Sequence, residues 1–165
     1  MTDQSLLRVA ETVGGTIATH CKLTLLVGPA GSGKTIVLGR IAAHFNYPLI
    51  NLSLLLSRRL LSLNTRQRSL QVREIAAELT EFERSAGVCI DNTELLFDKT
   101  LHIDPLRFFQ ELARNRAIIA TWNGTLRNGQ LTYAWPGHPD EFDRPAAGFP
   151  VVALTSVEPE IHLTA

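Results

Sequence analysis

Leu23-Thr24-Leu25-Leu26-Val27-Gly28-Pro29-Ala30-Gly31-Ser32-Gly33-Lys34-Thr35 decides the fold. A short, largely apolar run feeds into a glycine-rich turn, as a buried central strand would. After it, Ile36, Val37, Leu38, Ile41 and Ala42 recur with helical rhythm as far as His44. The spacing of Gly28, Gly33, Lys34 and Thr35 satisfies the phosphate-binding loop pattern in full, and strand before and helix after is the context that pattern requires. The glycines let successive backbone N–H groups point inward at phosphate oxygens, and the helix start adds its positive end. Residues 28–36, namely Gly28, Pro29, Ala30, Gly31, Ser32, Gly33, Lys34, Thr35 and Ile36, are therefore the expected nucleotide cradle. Lys34 is expected to bridge the terminal phosphates and the Thr35 hydroxyl to ligate Mg2+.

Outward from this loop the chain alternates. Residues 4–20 suit a helix with one apolar side, ended by Gly14-Gly15. Pro48 to Leu52 reads as a strand, Ser53 to Leu63 as a helix capped by Ser53, and residues 67–85 as a further helix. Gly87 to Asp91 is a third strand, Asp104-Pro105 opens a helix running to about Asn115, and Ala117 to Trp122 is a fourth strand. Asn128-Gly129 between Leu126 and Leu131 marks a hairpin turn, Pro136 to Pro139 is irregular, and Val151 to Leu154 is the fifth strand. Trp122, Trp135, Phe108 and Phe109 are assigned to the core.

Strands alternating with helices imply a three-layer α/β fold, a P-loop NTPase of the RecA/AAA-like kind. Its sheet is expected to be mostly parallel and five-stranded, with a β-hairpin inserted after the fourth strand and no C-terminal helical lid. One domain is expected over 1–165, with its core over about 21–157.

Composition narrows the class. Of 165 residues, 45% are hydrophobic and 19% charged, which is globular and not disordered. Lys plus Arg and Asp plus Glu balance at 16 each, so no overall field draws the chain to nucleic acid, and direct DNA contact stays open. Arg58, Arg59, Arg66, Arg68 and Arg73 form a local basic stretch, read as a solvated face. Two cysteines without partner spacing and five scattered histidines indicate neither a disulfide framework nor a metal cluster. No apolar run approaches a membrane span, and no signal peptide starts the chain, so a cytoplasmic setting is expected.

A magnesium–phosphate site needs a second anionic anchor at the end of a neighbouring apolar strand, and Asp91 fits. The plainer reading of Asp91 is a turn aspartate or a helix cap. Many ATPases place a glutamate directly after that aspartate, but this position is Asn92. Glu94 is the candidate for orienting the attacking water, with Asn92 as an amide alternative; a surface glutamate favouring a helix dipole is the competing reading. Asn123 or Thr121 can sense the γ-phosphate at the end of the fourth strand. Arg114, Arg116, Arg58 and Arg59 are candidates for a cation that stabilises transition-state charge.

Further segments carry a resemblance. Leu26 to Thr35, Asn51-Leu-Ser, Leu56 to Leu61, Asp91-Asn92 with Glu94 to Phe97, and Asp104-Pro-Leu contribute. So do Arg114-Asn-Arg116, Thr121 to Gly124, Gly129 to Ala134 and Pro136 to Pro139. Over most of residues 23–140 the chain resembles the BrxF-like small P-loop proteins of type 3 BREX phage-defence systems. The resemblance implies an ATP-binding, ATP-hydrolysing accessory component. Its partners would be other BREX defence proteins, among them a large ATPase, a DNA methyltransferase and an alkaline-phosphatase-like protein.

Three functions compete: an ATPase switching contacts with defence partners, a small-molecule kinase, and a non-hydrolytic module holding nucleotide for structure. ATP is favoured over GTP because no Asn-Lys-x-Asp segment follows a strand. A DNA-translocating or ring motor is disfavoured by the dozen or so residues after the fifth strand. A homo-oligomer that shares its sites through an arginine would gain activity with concentration.

Overall fold

The computed structural model describes residues 3–16, 20–82, 84–134, 136–154 and 159–163. Its elements are α1 (Asp3–Thr16), β1 (Leu23–Gly28), α2 (Lys34–Phe45), β2 (Leu49–Asn51), α3 (Leu52–Leu60), α4 (Thr65–Leu79) and β3 (Gly87–Asp91). After two single-turn 3-10 helices, Glu94–Phe97 and Lys99–Leu101, come α5 (Pro105–Leu112), β4 (Ala117–Arg127), β5 (Gln130–Tyr133), β6 (Phe142–Pro145), β7 (Pro150–Leu154) and β8 (Pro159–Leu163). No helix among the described residues is long and apolar enough to cross a membrane.

The main sheet has the order β2-β3-β4-β1-β7-β8. The first five of these strands run parallel, as expected for strands joined by helical crossovers. Alternate residues build a core on each face. Leu23, Leu25, Val27, Val88, Ile90, Ile118 and Ala120 face α3, α4 and α5, whereas Leu26, Cys89, Ile119 and Val152 face α1 and α2. Strands buried on both sides read as unbroken apolar runs for this reason. Each fully buried leucine on them contributes about 2 kcal/mol. Trp122, Phe108 and Phe109 lie in the core; Trp135 falls outside the described residues.

Several boundaries differ from the sequence expectation. α1 continues through Gly14-Gly15 to Thr16, and residues 17–19 lie outside the described set. α3 is capped by Asn51, whose Oδ1 accepts from the Leu54 N–H at 3.0 Å, not by Ser53. The chain leaves β2 one residue earlier than expected, so the helix takes its cap from the strand's last residue. α4 begins two residues earlier, where Asn64 and Gln67 form a reciprocal capping box, and stops at Leu79 instead of 85. There the Thr80 hydroxyl turns back on the Ala77 carbonyl at 2.7 Å. α5 ends at Leu112 because the Ala113 carbonyl turns aside to accept from Lys22 N–H in front of β1.

β4 is the largest departure. It runs on past Trp122 to Arg127, so its first half belongs to the parallel sheet and its second half to an antiparallel one with β5 and β6. Asn128 and Gly129, both at positive φ, turn β4 into β5 as the Asn-Gly pair requires. β6 and β8 were not anticipated. β6 is short and polar, and β8, antiparallel on β7, has an exposed Leu163, so neither carries the signature of a buried strand.

Candidate functional site

Parallel pairing brings the ends of four strands together. Gly28 of β1 lies beside Asn123 of β4, Asn51 of β2 beside Asp91 of β3, and Ile90 beside Ala120, which sets Asp91 next to Thr121. The crevice outside the carboxyl ends of such strands is where α/β folds bind ligands. A cleft of about 360 Å³ opens there, lined by residues of the glycine loop and by Asp91, Asn92, Glu94, Thr121 and Asn123. A larger groove of about 740 Å³ lies between α1 and β7–β8, but among the described residues no cluster of acid, base and amide groups converges on it. Size does not mark the site; convergent chemistry does.

The loop is shaped by its glycines. Gly31 and Gly33 have φ of 80° and 86°, a region side chains rarely adopt. Gly28 lets the loop close: a Cβ there would fall 2.5 Å from Ser32 Oγ and 2.7 Å from the Leu154 carbonyl. Lys34, 7% exposed, folds back on the loop, donating to the carbonyls of Gly28 at 2.8 Å and Pro29 at 2.6 Å. Burial pulls its ammonium below the ordinary 10.5, while Glu94 and Asp91 pull it back up. Among the described residues lining the cleft it is the one cationic side chain. Thr35 and Ile36 are exposed at the mouth.

Asp91 is buried and receives two hydrogen bonds on Oδ1, from Thr121 Oγ1 at 2.9 Å and from the Asn92 N–H at 3.0 Å. With Thr35 it offers hydroxyl and carboxylate oxygens, the donor chemistry that suits a hard cation such as Mg2+. Asn92 has φ 51°, a left-handed conformation that asparagine tolerates and glutamate does not favour. Glu94, at the start of the 3-10 turn that follows, reaches the cleft instead, and Asn123 Nδ2 donates to its Oε1.

Supporting contacts escaped the sequence reading. Thr93, buried, donates to the Thr121 carbonyl at 2.8 Å. Ser53 accepts from Leu95 N–H at 3.1 Å, and its own N–H donates to the Asn92 carbonyl at 2.8 Å, tying α3 under the segment that carries Glu94. Phe97, at the other end of that turn, stacks on Tyr133 at 3.7 Å and meets Trp122 edge-on at 4.7 Å. Burial, then the carboxylates of Glu94 and Asp140, pushes the Tyr133 hydroxyl above 10.0. Only the strand register, which no local motif encodes, brings these groups together.

No protein-family model matches the chain, and neither does any curated protein. Among solved structures, that of C. elegans PCH-2 matches over 73% of this chain and 37% of its own, with 20% identity and a TM-score of 0.43. This chain thus spans well under half of that protein's length.

The arginine candidates separate from the cleft. Arg114 and Arg116 precede β4 at the Leu23 end of β1, five residues from Gly28, a rise of about 16 Å. Arg116 donates to the Thr80 carbonyl at 3.2 Å. Arg59 pairs with Glu78 at 3.0 Å, Arg73 with Glu111, and Arg68 Nε donates to the carbonyls of Leu60 and Leu63. Arg58 and Arg66 are exposed on α3 and α4. The basic stretch is thus in the main a set of helix contacts and a solvated face.

Proposed function

We propose that this chain is a magnesium-dependent ATPase with a P-loop NTPase core, an accessory component of a type 3 BREX-like defence system. The observation that carries the enzymatic part is the convergence of the glycine loop, Asp91, Glu94 and Asn123 on one cleft. The defence assignment rests on the resemblance over residues 23–140 and on no other ground.

In this reading the N–H groups of residues 30–36 and the positive start of α2 hold the phosphates. Lys34 exchanges its loop carbonyls for phosphate oxygens, which answer its charge better than neutral carbonyls do. Bound Mg2+, held by Thr35 and Asp91, would neutralise charge on the β- and γ-phosphates. Glu94 orients the attacking water and takes its proton as the water oxygen bonds to the γ-phosphorus and the bridging oxygen leaves with ADP. Asn123 holds Glu94 until nucleotide arrives and then reads the γ-phosphate.

A second reading has its own support: the residue directly after Asp91 is an asparagine, which cannot accept a proton. It describes a nucleotide-held module without turnover. Phosphate release from Mg-ATP by the wild type, Lys34→Ala and Glu94→Gln, over a range of protein concentrations, separates the two. Turnover by the wild type alone, with Glu94→Gln still binding ATP, is expected. Binding without turnover in the wild type would leave the module. No release and no binding would sink both. Activity rising more than linearly with concentration would point to a neighbour's arginine completing the site.

A further inference from the structure

We infer that Thr121 is a positioning residue for Asp91, orienting its carboxylate towards a divalent cation carried on the nucleotide phosphates. The inference rests on the reading of the cleft as a magnesium–nucleotide site and deepens it.

An aspartate carboxyl turns about χ2 in a broad, two-fold well, so its free oxygen has no direction of its own. Here that freedom is removed. Both donors on Asp91 among the described residues act on Oδ1: the Thr121 hydroxyl and the Asn92 N–H, at 2.9 and 3.0 Å. Among the described residues no donor reaches Oδ2, on a residue that lines the cleft. Asp91 is 8% exposed and Thr121 3%, so water competes poorly for Oδ1 and the hydroxyl has little other use.

Thr121 is itself braced on two sides. Its carbonyl accepts from Thr93 Oγ1 at 2.8 Å, and its backbone lies beside Leu26 of β1, two residues before the loop begins. The loop strand and the carboxylate are therefore linked through one residue. The same geometry removes Thr121 from the alternatives for touching the γ-phosphate, because its one hydroxyl proton is given to Asp91. That task is left to Asn123. Partners that orient a metal-binding carboxylate govern affinity for the metal more than for the organic part of the ligand.

The test is the Mg2+ requirement for ATP binding, read with a fluorescent ATP analogue and independent of turnover. It uses wild type, Thr121→Val, Thr121→Ser and Asp91→Asn, each also measured without metal and by thermal unfolding. Thr121→Val keeps the buried shape and removes the donor. It is expected to raise the half-saturating Mg2+ concentration about tenfold, with metal-free binding unchanged and Thr121→Ser restoring most of the loss. A Thr121→Val protein with the wild-type Mg2+ requirement, beside an Asp91→Asn protein that needs more, overturns the positioning role alone. So does a fall in melting temperature without a change in the metal requirement. If Asp91→Asn also leaves the requirement unchanged, the magnesium reading of the cleft fails with it. Should Thr121→Val not fold, Thr121→Cys, with a much weaker donor, carries the same comparison.

Discussion

Asn123 donates from Nδ2 to Oε1 of Glu94, joining the last residue of β4 that pairs with β1 to the first residue of the turn after β3. The two strands neighbour each other in the sheet, so the pair lies in the cleft that the proposed reading assigns to nucleotide. Glu94→Gln is expected to lower kcat about a hundredfold or more, as loss of a general base does. Asn123→Ala should lower it less, and the double variant should be no slower than Glu94→Gln, because the pair acts as a unit. Losses that multiply in steady-state phosphate release would show two independent roles.

Phe97 occupies the other end of the same turn, against Tyr133, Trp122 and Phe142. Phe97→Leu keeps much of the buried area and loses the ring contacts, and should cost about 1–2 kcal/mol in urea unfolding. A cost near zero would mean the aromatic cluster is incidental to stability.

Two glycines should respond with opposite signs. A Cβ at Gly124 would overlap the Thr132 carbonyl, so Gly124→Ala must part β4 from β5, at a cost of about 2–3 kcal/mol. At Gly39, within α2, the space is open, and Gly39→Ala should stabilise by about 0.5–1 kcal/mol. Melting temperatures that move the same way in both variants would contradict this.

Cys89, wholly buried on β3, has its thiol pushed up from 9.0 to about 12 by burial. Between those values the unfolded chain releases a proton that the native chain keeps, so the native state binds more protons and stability falls as pH rises. Well below pH 9 the group has no effect. From pH 8 to 10 the loss is about 1.4 kcal/mol. Urea titrations at pH 8 and 10 should show this fall in the wild type and a smaller one in Cys89→Ala. Equal falls would place the alkaline sensitivity elsewhere.

The glycine loop was legible because it is local. Gly31 and Gly33 are needed for their own φ values, Lys34 folds back over the six residues behind it, and the buried strand before and amphipathic helix after are contiguous with it. The Asp104-Pro105 helix start and the Asn128-Gly129 turn were legible for the same reason: cap and turn chemistry acts over two or three residues. Asp91 and Glu94 could be nominated as candidates from the apolar strand they follow. Thr121 and Asn123 were candidates too, but their pairing with these two carboxylates could not be read.

Thr121 on Asp91, Asn123 on Glu94, Thr93 on the Thr121 carbonyl and Ser53 under Leu95 join residues 28 to 42 positions apart. Such pairs depend on strand order and register, which shift every neighbour together when they change. The exclusion of Arg114 and Arg116 from the cleft has the same origin: proximity to β4 in sequence places them at its wrong end. The sequence by itself therefore determined an α/β core with a glycine-rich loop between strand and helix, and a short set of candidate residues, since those rest on backbone conformation and hydrophobic period. Tertiary structure alone decided which candidates face one another, because parallel pairing aligns strand ends that the chain separates by whole helices.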